Sequence, residues 1–131
     1  MRTSSHLHLS KPLRRQPWLR TLCVLTVGAA LVLPATAMSI REMRTLEKTE
    51  KRGSTYTDYY LVGVMEGTLE AHNHAVRGGA KPTICLNDRR LRPSMAKSLF
   101  TTELKRNADL YEADMPVELV MRNALETVYP C

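Results

Sequence analysis

Aromatic residues are scarce in this sequence, which holds one Trp, one Phe and five Tyr among 131 residues. The single Trp, Trp18, lies near the N-terminus, so a core further along must rest on Leu, Val, Met, Ala, Phe100 and the tyrosines. Sustained alternation of polar and apolar residues is missing as well, which excludes a fold built mainly on strands. The uncharged apolar run Thr21 to Leu33 is thirteen residues long. A spanning helix needs about 20, so no stable membrane anchor is expected. Acidic residues are absent from the first 37 positions, where five of the nineteen Lys and Arg are found.

That N-terminal stretch has the three parts of a secretory signal in order: basic residues, an apolar run, and a small-x-small site at Ala35-Thr36-Ala37 after Pro34. Cys23 precedes most of the apolar run and lacks a lipobox. Arg14-Arg15 is followed by Gln16-Pro17-Trp18, a poor continuation of a twin-arginine signal. The expectation is a cleaved leader at residues 1–37, general secretion, and a periplasmic domain at residues 38–131. The exported part then carries fourteen cations against thirteen carboxylates, a net of +1. The whole-chain pI of about 9.5 therefore reflects the leader, and the basic footprint of a nucleic-acid binder is not there.

About 94 residues suit one domain. Cys85 and Cys131 remain after cleavage. An even pair in a small exported domain most often forms an internal disulfide; a catalytic Cys85 and an intermolecular bridge are the alternatives.

Four helices are predicted. Ser39 and Glu42 have capping-box spacing, opening a short helix with Ile40, Met43 and Leu46 that dissolves before Gly53-Ser54. A second helix runs from about Tyr56 to Ala75. Tyr56, Tyr59, Tyr60, Gly63, Val64, Gly67 and Ala71 share one of its faces. Glycine costs about 1 kcal/mol against alanine inside a helix, so Gly63 and Gly67 predict the close approach of a neighbouring backbone. Arg77 to Pro82 is a turn-rich loop without the features of a phosphate-binding loop. Thr83 to Leu86 reads as extended, and Asn87 to Arg92 as polar. A third helix starts at Pro93 with Met95, Leu99, Phe100 and Leu104 on its apolar face, and Asn107 ends it. Asp114 is expected to cap a fourth helix whose stripe is Val117, Val120, Met121, Ala124, Leu125 and Val128. The fold class is all-α, a compact bundle of about four helices with one disulfide.

Catalytic groups are not evident. His72 and His74 lie two apart on a helix and so face away from each other, with no third ligand nearby, and neither a metal nor a cofactor is expected. The letters His-Asn-His do not form the spaced nuclease arrangement of that name. A hydrolase built on Cys85 and His74 would need a reduced, activated thiolate and an oriented base, which export and Cys131 oppose. No enzyme activity is expected.

The order of Tyr60-Leu61-Val62-Gly63, Gly67, Cys85-Leu86, Ala124-Leu125 and Tyr129-Pro130-Cys131 behind a signal peptide resembles the Tai-type immunity proteins of type VI secretion amidase effectors. The resemblance spans about Tyr56 to Cys131. Where many members carry a proline two residues after the middle cysteine, this chain has Asn87. The resemblance implies a periplasmic helical domain that inhibits a secreted peptidoglycan amidase by covering its active site, often as a homodimer. Arg77, Lys81, Arg89, Arg90 and Arg92 then become candidate partner-binding residues on the two loop segments beside Cys85. A periplasmic acid-stress chaperone of similar size and single-disulfide layout is the alternative, with protonation of carboxylates as its trigger.

Overall fold

A computed structural model describes residues 37–131; the expected leader lies outside them except for Ala37. They form four α-helices: α1 Ile40–Thr49, α2 Gly53–Arg77, α3 Ala96–Arg106 and α4 Val117–Val128. Single 3₁₀ turns at Pro93–Met95 and Ala108–Leu110 flank α3. The only extended pairings among the described residues are two isolated bridges, Ser39 with Pro116 and Ile84 with Pro130. The architecture is a compact all-α bundle closed by the Cys85–Cys131 disulfide.

The Ser39 hydroxyl accepts the Glu42 amide at 3.2 Å, while the Glu42 carboxylate accepts the Ser39 amide at 2.7 Å, closing the capping box at the start of α1. These bonds hold the Glu42 carboxyl below its ordinary range. Ile40 and Met43 enter the core. The turn into α2 depends on Gly53. A Cβ there would strike the Leu46 carbonyl oxygen and lie 2.7 Å from Glu47 Cα, so this is where a glycine lets two backbones meet.

Helix α2 is 25 residues long and extends past the predicted limits at both ends. Its buried face is Gly53, Thr57, Leu61, Val64 and Met65. The predicted tyrosine-glycine stripe is instead largely turned to solvent: Tyr56 is 49% and Tyr59 is 75% exposed. The helix carries two stripes with apolar character, and the one bearing Leu61 and Met65 offers more apolar area to remove from water than one interrupted by glycines. Thr57 tolerates burial because its hydroxyl donates to the Ser54 carbonyl at 2.9 Å. The packing role predicted for Gly63 and Gly67 is corrected by the same rotation. Among the described residues, a Cβ at either position would meet nothing within 4 Å.

On α3, Ala96, Leu99, Phe100 and Glu103 are buried, and Asn107 ends the helix as expected. On α4, Val117, Val120, Met121, Ala124 and Leu125 are buried, while Val128 stays 40% exposed. Pro116, not Asp114, occupies the N-cap. Asp114 pairs with Arg41 at 3.0 Å on the surface. The chain just before α1 runs beside this junction, with the Val117 amide donating to Met38 and the Ile40 amide to Met115, both at 3.0 Å. Helix α2 packs against α1, α3 and α4, and α3 packs against α4. Phe100, Ile40, Met65, Met121 and Leu125 are the largest of the fully buried side chains in the resulting core, which Tyr129 joins.

Candidate functional site

The segment from Gly78 to Arg92 joins α2 to the 3₁₀ turn before α3, and the chain fastens it at several points. The Gly78 amide donates to His74 and the Ala80 amide to Ala75, closing α2, and Gly79 takes a φ of 97° that suits glycine. Thr83 Oγ1 donates to Glu126 of α4 at 3.0 Å. The Ile84 amide points at His72 Nε2 at 3.4 Å, so one of the two histidines helps seat the loop. Ile84 is buried and pairs with Pro130. The Cys85 amide donates to the Tyr129 carbonyl at 2.8 Å. The disulfide then joins the loop to the C-terminal residue with a Cα–Cα distance of 4.8 Å across a separation of 46 residues. Cross-linking over that length is worth about 4 kcal/mol through the unfolded chain. Bound in this way, Cys85 has no thiolate to offer.

Beyond the cysteine the chain reverses tightly. Asn87 and Asp88 have φ values of 48° and 63°, and the Arg89 amide donates to the Leu86 carbonyl at 2.9 Å. Two left-handed central residues under such a bond match a type I′ turn, which Asn and Asp tolerate well. A proline at position 87 could not take this φ.

The five candidate cations divide by environment. Arg89 folds back: its Nε donates to the Leu86 carbonyl at 2.9 Å, an Nη2 to the Cys85 carbonyl at 3.2 Å, and its guanidinium lies 4.5 Å from the centre of the buried Tyr129 ring. It is a brace of the turn. Arg77 pairs with Glu70 at 2.8 Å within α2. Lys81, Arg90 and Arg92 are exposed, and among the described residues none of them is in an ion pair. The loop thus presents Arg90 and Arg92 beside a turn that Arg89 holds.

A second feature is a groove of about 840 Å³ between α2 and the first half of α4. Gly63, Gly67 and Ala71 form one wall, with Pro116, Leu119 and Arg122 opposite. Tyr60 crosses it at one side, its hydroxyl donating to Glu118 Oε1 at 3.0 Å. Burial first, and then the Glu118 carboxylate, push the Tyr60 phenol up to about 12. Glu118 Oε2 is shielded from solvent and has no hydrogen-bond partner among the described residues.

A buried polar network was not anticipated from the sequence. Glu103 is 4% exposed. Its Oε1 accepts the Asn107 side-chain amide and the Tyr111 hydroxyl, each at 2.7 Å, and Asn123 of α4 donates to the Tyr111 oxygen at 2.9 Å. Burial raises the Tyr111 pKa, with Glu103 adding to the rise against the Asn123 bond. The signal was the register of Glu103 itself, three and four residues after Phe100 and Leu99 on the apolar face. Among the described residues no group of three His, Cys, Asp or Glu is placed to hold a metal ion, and no helix is long and apolar enough to cross a membrane. No protein-family profile, curated protein or solved structure matches the chain.

Proposed function

We propose that this protein is a periplasmic immunity protein that binds a type VI-secreted peptidoglycan amidase and covers its active-site cleft, as the Tai-type resemblance implies. The observation that supports this best is the loop turn at Leu86–Arg89, fixed by the disulfide, the Cys85–Tyr129 bond and the Arg89 brace. An inserted element that is already ordered loses little conformational entropy on binding. Arg90 and Arg92 at its edge are the contact residues, since arginine is enriched at the energetic centres of interfaces. Arg89 serves the same surface indirectly by holding its shape. Lys81 and Arg77 lie at its margin.

The homodimer that the resemblance implies is assigned to the outer face of α2. Two glycines with open space in place of their Cβ atoms would let a second α2 approach closely, with the exposed Tyr56 and Tyr59 flanking the contact. A twofold interface requires such a self-complementary patch.

The test is expression of candidate secreted amidases in the periplasm of a susceptible cell, with and without this protein. Survival with the protein and lysis without it is the expected result. If no cell-wall amidase is neutralised, the reading fails.

A further inference from the structure

Away from the loop and the α2–α4 groove, a separate cavity of about 480 Å³ lies between α1 and α3, with α2 as its floor. Its size falls in the range of small-molecule sites. Met43, Leu61, Phe100 and Leu104 give it an apolar lining, and its rims carry Arg44 and Glu47 on α1 and Lys97 and Lys105 on α3, three cations to one carboxylate.

The three cations are not equivalent. Lys97 is already engaged, at 2.8 Å from Asp58 and 3.8 Å from Glu47. It ties α3 to α2 and α1 and marks one end of the cavity, because it is the second residue of α3. Arg44 and Lys105 line opposite rims, are exposed, and among the described residues take part in no ion pair. Asp58 and Glu47 outweigh Lys97 by one charge, and with Arg44 and Lys105 the three cations outweigh the two carboxylates by one. Ala108 ends the lining on the α3 side.

An apolar trough with two unengaged cations on its rims complements a molecule that has an apolar tail and an anionic head. We infer that the α1–α3 cavity is a binding site for a single-chain amphiphile carrying a carboxylate or phosphate head, which Arg44 and Lys105 hold while the tail lies over Met43, Leu61, Phe100 and Leu104. This site shares no residue with the loop assigned above to the amidase, so either assignment can fail without the other.

The experiment titrates the purified protein with decanoate, with an uncharged decyl glycoside and with decyltrimethylammonium, each kept below its micelle threshold, and with inorganic phosphate alone. Amide chemical shifts of α1 and α3 are the readout. The expected result is saturable one-to-one binding of decanoate, roughly tenfold tighter than the cationic amphiphile, the scale of two exposed ion pairs. The Arg44→Gln/Lys105→Gln variant changes only exposed side chains, and should keep its melting temperature while losing the preference for decanoate. Absence of saturable decanoate binding would overturn the inference. So would equal affinity for all three heads, retention of the preference in the double variant, or phosphate alone binding as tightly as decanoate.

Discussion

The loop between α2 and α3 and the outer face of α2 are both surface, yet the chain treats them in opposite ways. The loop uses a disulfide, a backbone bond to Tyr129, a buried isoleucine and an arginine stacked on the Tyr129 ring to hold a few exposed residues in one shape. The face of α2 holds two glycines whose missing side chains are replaced by nothing among the described residues, although each costs about 1 kcal/mol of helix stability against alanine. Gly53, on the same helix, shows what a structurally required glycine looks like, with backbone where a Cβ would go. A surface organised internally is ready before a partner arrives. A surface with unused space has its reason, if any, outside the chain.

Breaking the covalent tie should separate the two regions most sharply. Replacing Cys85 or Cys131 by serine is expected to lower stability by about 2–5 kcal/mol, measured by denaturant unfolding. Hydrogen exchange should then rise from Thr83 to Arg89 far more than at Gly63 and Gly67. Equal loosening of both regions would mean that the disulfide stabilises the bundle as a whole and does not set the loop.

Removing the Tyr111 hydroxyl by Tyr111→Phe should cost about 1–2 kcal/mol, because it leaves Glu103 and Asn123 each short of a buried partner. The open face should respond in the other direction. Gly63→Ala and Gly67→Ala are each expected to raise the stability of the monomer by about 0.5–1 kcal/mol, read as a higher melting temperature at low concentration. A fall at either site would show that space there is occupied. Gly67→Leu should in turn abolish dimers in sedimentation while leaving the monomer folded.

The smallest effect concerns pH. The Tyr60 phenol is raised to about 12 in the folded protein, against about 10 for a free tyrosine. The neutral phenol is favoured by folding, so its contribution is whole below pH about 10 and is lost as pH rises through about 12. Tyr60→Phe should flatten the alkaline limb of the stability profile. An unchanged slope between pH 10 and 12 would place that limb elsewhere.

Local signals were the readable ones. The capping box at Ser39 and Glu42 depends on residues a few positions apart and formed as expected; the α4 stripe did so from Val117 to Leu125 but not at Val128, and Pro93 opens a 3₁₀ turn, with the third helix starting at Ala96. The Cys85–Cys131 pairing was readable because few cysteines are present. The orientation of α2 was not, since two of its faces carry apolar residues and only the packing of α1 and α4 decides between them. Asp114 was outcompeted at the α4 cap by the fixed backbone of Pro116 and the pairing of Ser39 with that residue. The role of Arg89 depends on Tyr129, forty residues away, and no local pattern joins them. Glu103 was visible by register, but its partners Tyr111 and Asn123 were not.

The most direct measurement of the account is inhibition of a purified cognate amidase by three forms of this protein: unmodified, Arg90→Ala/Arg92→Ala, and Gly67→Leu. The loop variant is expected to inhibit roughly tenfold or more weakly, a loss typical of interface anchors, while the groove variant, although monomeric, inhibits as the unmodified protein does. Undiminished inhibition by the loop variant, with the groove variant inactive, would contradict the assignment and move the amidase contact to the glycine face of α2.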